Sequence, residues 1–118
     1  MFDVLTIGTA ALDTFLSSDG VKVLRDPKHL ERLGFPTGEA QCFALGSKIE
    51  TGRPVVTVGG GAVNTAIAFA RQGFRTMALI RIGADEEGAP IVKALKAEKV
   101  QPLAVIDKKE GTAHSSIL

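Results

Sequence analysis

An aspartate at position 13, and a glycine run at Gly59, Gly60 and Gly61 followed by Asn64, are the groups in this sequence whose types and spacing suit ligand chemistry. An ionised carboxylate only accepts hydrogen bonds, so Asp13 can take two of them from neighbouring hydroxyls of one molecule and fix its position and stereochemistry. The glycine triplet lets a ligand lie against the backbone, and Asn64 offers both a donor and an acceptor from the first turn of the helix that follows. The ligand that fits this set is small and polar. Each group also has an ordinary reading. An aspartate after a strand caps a helix or forms a turn, and glycines ahead of a helix make a tight connection. Asn64 is harder to explain that way, because asparagine is a mediocre helix former and here lies close to apolar positions, where a buried amide must find partners or cost a few kcal/mol.

Three further groups carry less. Asp85, Glu86 and Glu87 form a carboxylate cluster, but their place at a predicted helix start already explains them through the helix dipole. His114, Ser115 and Ser116 lie on the last predicted strand, where a lid residue could touch substrate but plain exposure is the more ordinary explanation. Cys42 is the sole cysteine, which excludes an intrachain disulfide and fits a reducing compartment, and with only His29 and His114 beside it no metal-ligand spacing arises. No Ser-His-Asp order, phosphate-binding Walker sequence or basic aromatic patch is present.

The elements that must position these groups alternate between strand and helix. Asp3 to Gly8 reads as a buried strand, and Thr9 to Asp13 leaves its end, which places Asp13 near the carboxyl edge where open α/β sheets bind ligands. Residues 14 to 54 change character, with scattered charges and glycines and one short helix that Asp26 can cap, Pro27 can start and Gly34 can end. Extended runs, Phe15 to Leu24 and Gln41 to Ile49, flank it. The core returns at Val55 to Val58. Gly61 to Gln72 then carries Val63, Ala66, Ile67 and Ala70 on one helical face and stops at Gly73. Thr76 to Ile82 is a strand, and a helix from about Glu86 to Lys99 buries Ile91, Val92 and Leu95. Runs at Val100 to Ile106 and Thr112 to Leu118, joined by Lys108-Lys109-Glu110-Gly111, predict a hairpin. The alternation predicts an α/β fold with a parallel sheet covered by helices.

Composition adds bounds. The chain has 118 residues, 45% of them hydrophobic, and a net charge of +1. A domain of that size buries roughly two thirds of the surface its unfolded form exposes. No basic surplus argues for nucleic acid. No stretch approaches the ~18 apolar residues of a membrane helix, and the N-terminus lacks a targeting pattern, so the expected address is the cytoplasm without membrane attachment.

The run from Gly59 through Asn64, Ala66, Gly73 and Gly83 resembles the N-terminal signature of the ribokinase-like (PfkB) carbohydrate kinases. The resemblance extends upstream to Ile7-Gly8 and Asp13, and is loose from Thr14 to Pro54. It implies the N-terminal part of a ribokinase-like α/β fold over residues 1 to 118, with a small β-sheet lid from residues 14 to 54 and about 101 to 118. The implied function is transfer of the ATP γ-phosphate to a sugar hydroxyl. Asp13, Gly59, Gly60, Gly61 and Asn64 would hold the sugar, with Asp13 orienting it rather than acting as base. Many ribokinases carry lysine where Gly61 stands, so ribose is not singled out. The family's later Gly-x-Gly-Asp motif, with the base and the anion hole, does not occur here. Catalytic residues and most contacts to ATP and Mg²⁺ are therefore expected beyond Leu118, and the isolated chain is expected to be inactive. Lids of this kind often pair between subunits, which implies a homodimer. Alternatives are a nucleoside kinase of the same family, a polyol-binding module without catalysis, and a dinucleotide-binding fold in which Asn64 would replace the third glycine.

Overall fold

The computed structural model describes all 118 residues. The chain divides into two compact units, one made of Met1–Phe15 with Val55–Ile117 and the other of Leu16–Pro54. In the first unit, β1 (Val4–Gly8), β6 (Thr76–Gly83) and β7 (Gln101–Asp107) form a parallel sheet in the order β1-β6-β7. A second sheet has the order β5-β2-β8, from β2 (Ala11–Phe15), β5 (Val55–Gly59) and β8 (Ala113–Ile117). Within it β2 runs antiparallel to β5 and parallel to β8. Two helices, α2 (Gly61–Arg71) and α3 (Gly88–Ala97), complete this unit.

Alternation along β6 explains the core. Ala78, Ile80 and Ile82 point to one face and join Val63, Ala66, Ile91, Leu95 and Val100 in a single buried cluster. The predicted apolar stripe of α2 holds, with Val63 and Ala66 buried and Ile67 and Ala70 packed against the cluster. Thr6 is buried on the same face and donates its hydroxyl to the Ala62 carbonyl at 3.0 Å, which fixes the start of α2 on β1. The opposite face of the parallel sheet is uncovered. Leu5 and Ile7 of β1 are 51% and 70% exposed, and Leu103 and Val105 of β7 are exposed on the same face across β6.

The second unit holds α1 (Pro27–Arg32) and an antiparallel pair, β3 (Lys22–Arg25) with β4 (Glu39–Cys42). Asp26 caps α1, accepting from the His29 N–H at 3.1 Å, and Pro27 takes the first helical position, as the sequence predicts.

Three expectations are corrected. The strands over 101–107 and 113–117 do not pair as a hairpin: β7 extends the parallel sheet and β8 crosses to β2. The first of them therefore lies in the core sheet and not in a lid. Val55 to Val58 belongs to the antiparallel pairing with β2, so it is not a strand of the parallel sheet. The expected parallel sheet covered by helices stands, with α2 and α3 packed on one of its faces.

Candidate functional site

Asp13 follows the end of β1, as expected, and sits in the middle of a strand of its own, β2. Its cross-strand neighbours are Thr57 on β5 and Ser115 on β8. Residues in register share a sheet face, so the carboxylate stands between two hydroxyl-bearing side chains on the face opposite to buried Leu12. Asp13 is half-buried, whereas Thr57 and Ser115 are exposed. Thr57 had no signal in the sequence beyond its place in an apolar run, and for Ser115 substrate contact was weighed as the lesser reading beside exposure.

The glycine run serves three different purposes. At Gly59 the side-chain space is taken by the Asp13 carboxylate: a Cβ there would land on Oδ2, with Cγ only 3.3 Å away. Absence of a side chain at Gly59 is thus what lets the carboxylate lie along the strand. Gly60 has φ of 102°, a region that L side chains avoid, and a Cβ would collide with the Thr9 carbonyl and come within 2.7 Å of the Ala10 Cα. The close approach that a Cβ at Gly60 would make is to the chain's own backbone. Gly61 differs from both. Its φ is not positive, and an added Cβ would meet only the Thr9 hydroxyl, at an ordinary 3.6 Å. Nothing in the fold demands glycine there, and the space beside Gly61 is open.

Thr9 is a residue that the sequence reading missed. Its hydroxyl accepts from the Gly61 N–H at 2.9 Å and its carbonyl from the Ala62 N–H at 3.2 Å. It caps α2 in place of Gly60, which has no side chain to do so. Asn64 lies one turn in, its N–H donating to the Gly60 carbonyl at 2.9 Å. Its side chain is exposed, which corrects the premise of a buried amide. The amide is thus open to solvent on the first turn of α2, where side chains lean back toward the helix start.

The acidic cluster is structural at Asp85. Its carboxylate accepts from the Thr112 hydroxyl and N–H, both at 2.7 Å, and from the Gly88 N–H at 3.1 Å. The Thr112 hydroxyl in turn accepts from the Gly83 N–H at 2.9 Å. These bonds, the Thr112 hydroxyl foremost, hold the Asp85 carboxyl below the usual carboxylate range. They tie the end of β6, the start of α3 and the approach to β8 together. Glu87 faces His114, with Oε1 3.0 Å from Nδ1, while His114 Nε2 lies 2.8 Å from the Thr14 hydroxyl. His114 thus braces β8 against β2 from the face opposite Asp13. No three His, Cys, Asp or Glu residues gather as a metal-binding group.

No curated protein sequence matches the chain. Among solved structures, a carbohydrate kinase from Agrobacterium tumefaciens is similar over 98% of this chain and 31% of its own, with a TM-score of 0.70 at 18% identity. Phosphofructokinase-2 from Escherichia coli, in complex with potassium, matches over 98% of this chain and 30% of its own, with a TM-score of 0.64 at 21% identity. The same enzyme in complex with fructose-6-phosphate matches over 97% and 30%, with a TM-score of 0.62 at 22% identity. At these identities the likeness is one of fold, and the chain spans about a third of the length of these structures. A family model described as pfkB family carbohydrate kinase matches residues 37–117. With that match over most of its length, and with the glycine turn and helix it contains, the chain belongs to the pfkB family of carbohydrate kinases.

Proposed function

We propose that this chain is the acceptor-binding portion of an ATP-dependent sugar kinase encoded by a longer polypeptide. The observation that carries the reading is the Asp13 carboxylate lying over Gly59, between Thr57 and Ser115, on an exposed sheet face. Asp13 accepts hydrogen bonds from two sugar hydroxyls, while Gly61 and the Asn64 amide bound the other side of the sugar. In the reaction the acceptor hydroxyl oxygen bonds to the γ-phosphorus and the bond from that phosphorus to the β–γ bridging oxygen breaks, leaving ADP. The hydroxyl proton passes to a base for which these residues supply no candidate, since Asp13 is placed for orientation. Mg²⁺ would accompany the ATP phosphates and neutralise charge on them.

The uncovered face of the parallel sheet supports the longer-polypeptide reading over a self-sufficient polyol-binding module. Parallel sheets are ordinarily covered on both faces, and Leu5, Ile7, Leu103 and Val105 leave one face apolar and wet. The second unit, with its β3–β4 pair, is the candidate for the lid that the family implies, and pairing of two subunits through it belongs to the same proposal, as does a cytoplasmic location. Phosphoryl transfer depends on positioning and on charge stabilisation together, and one held reactant recovers little rate. With labelled ATP, Mg²⁺ and a panel of pentoses, hexoses and nucleosides, the full-length protein is expected to transfer phosphate and the 118-residue chain to remain at background. Sugar-dependent transfer by the 118-residue chain would place the missing base within it and overturn the division of labour.

A further inference from the structure

The turn from β6 into α3 sends two carboxylates to β8, at positions two apart on each side: Asp85 takes Thr112, and Glu87 takes His114. The first tie closes on itself, because the Thr112 hydroxyl that donates to Asp85 accepts from the Gly83 N–H, back on β6. The second runs on to another strand. His114 stands in register with Leu12 and reaches diagonally to Thr14, its Nε2 2.8 Å from the hydroxyl while Nδ1 lies 3.0 Å from Glu87 Oε1. Glu87 is the residue at which α3 starts, so the helix fixes where its carboxylate begins.

An ionised carboxylate only accepts, so Nδ1 of His114 carries the proton, and Nε2 of the neutral ring accepts from the Thr14 hydroxyl. Each bond sets the direction of the next, from α3 through β8 to β2. Thr14 follows Asp13 directly and leans to the other face of β2, as does Leu12 before it. Leu12 is anchored by burial in the core cluster, and Thr14, half-buried and stiff at χ1, is anchored by the His114 bond. The Asp13 carboxylate therefore stands between two held neighbours. It lies over Gly59 in space that a methyl group would fill.

We infer that His114 is a positioning residue of the acceptor site, which keeps Asp13 aimed at the acceptor by tying Thr14 to Glu87. This rests on the reading of Asp13 as the acceptor anchor. The His114 and Glu87 side chains are 37% and 47% exposed, and a bond so placed adds little to overall stability. Orientation is the more sensitive quantity, since a misplacement of about 1 Å can cost about 100-fold in rate. Loss of the tie is therefore felt in the acceptor KM before it is felt in the fold.

The test uses the full-length protein with the sugar or nucleoside it phosphorylates best, and reads steady-state kinetics in both substrates, urea denaturation and nitrogen NMR of the histidine rings. His114→Phe keeps a ring and Thr14→Val keeps the shape, while each deletes the bond between them. Either is expected to raise the acceptor KM roughly 10-fold, with the KM for ATP and the urea midpoint near those of the parent. Thr14→Ser retains the hydroxyl and is expected to keep the acceptor KM close to the parent value. The double variant His114→Phe with Thr14→Val should be no worse than either alone, because both remove one interaction. The NMR signature is a His114 protonated at Nδ1 in the parent and a mixture of tautomers in Glu87→Ala. An acceptor KM unchanged in both His114→Phe and Thr14→Val, with Asp13→Asn still raising it, overturns the positioning role alone. Equal losses toward acceptor and ATP that track a lowered urea midpoint make His114 a structural brace and overturn it as well. A parent ring protonated at Nε2 refutes the chain of bonds. No effect of Asp13→Asn on acceptor KM or on kcat/KM overturns the anchor reading and this inference with it.

Discussion

Gly59→Ala isolates the contact on which the site is built. The new methyl would fall on the Asp13 carboxylate, with Cγ at 3.3 Å and Oδ2 closer still, inside the roughly 3.5–4.0 Å at which carbon atoms rest. Either the carboxylate swings away or β2 and β5 shift. Overpacking costs about 1–3 kcal/mol, and the low end applies because Asp13 is half-buried and its carboxylate can rotate. A carboxylate turned off the sugar loses charge-assisted hydrogen bonds of about 1.5–3 kcal/mol. At 1.4 kcal/mol per tenfold, kcat/KM should fall about 10- to 150-fold. The control is Asp13→Ala, which removes the obstructing atoms. In that background Gly59→Ala should be neutral or stabilising, since glycine inside a strand is disfavoured by about 0.5–1 kcal/mol relative to alanine. The double-mutant cycle, run by urea denaturation of the full-length protein with kcat/KM in parallel, should therefore show a stability coupling of about 1 kcal/mol or more. An equal cost of Gly59→Ala with and without Asp13 would refute the contact. Unchanged kcat/KM in the single variant would refute its role in binding.

Gly61→Ala should leave stability unchanged or raise it by up to about 1 kcal/mol, because the space is open and alanine is the better helix former, yet weaken calorimetric sugar binding. Equal sugar affinity in the two proteins would show that the ligand does not approach Gly61. Asp85→Ala strips bonds from Thr112 and Gly88 at once and should destabilise the fold, with faster amide exchange at Gly83, Gly88 and Thr112. Native exchange at those amides would contradict the clamp. Asp3 accepts from the Arg75 side chain and N–H across the starts of β1 and β6, and those bonds hold its carboxyl down to about 2. Because the folded pKa is the lower one, the stability it contributes is full above the ordinary aspartate value of about 3.9 and fades as pH falls toward 2. Asp3→Asn should thus be less stable than the parent at neutral pH, and the difference should close by about pH 2, as read by denaturation across pH.

What could be read from the sequence was whatever local chemistry determines. Asp26-Pro27 starts α1 and the Val63, Ala66, Ile67, Ala70 stripe marks α2, because capping and a 3.6-residue period are properties of a dozen neighbouring residues. The Asp13 and glycine motifs were equally visible. Pairing was not, because a two-residue period identifies a strand without naming its partner. Val55 to Gly59 looks like any buried strand, and only its register with Ala11 to Phe15 puts it in the second sheet. The Lys108 to Gly111 turn suggested a hairpin. The hydrogen bonds of Thr112 with Asp85 and Gly83 instead lead the chain across to β2. Asn64 misled through its neighbours, since its position beside Val63 is apolar in sequence but exposed on the helix surface. Thr57 and Ser115 became visible only when register set them beside Asp13.

The central claim is that Asp13 holds the acceptor, and the most direct measurement is kcat/KM for phosphate transfer from labelled ATP to the best sugar or nucleoside, in the full-length protein with and without Asp13→Asn. Asparagine keeps the shape and removes the charge, so the account predicts a fall of at least about 10-fold, from the loss of roughly 1.5–3 kcal/mol in charge-assisted bonding, with an unchanged urea midpoint. Equal kcat/KM in the two proteins, with both folded, would contradict it.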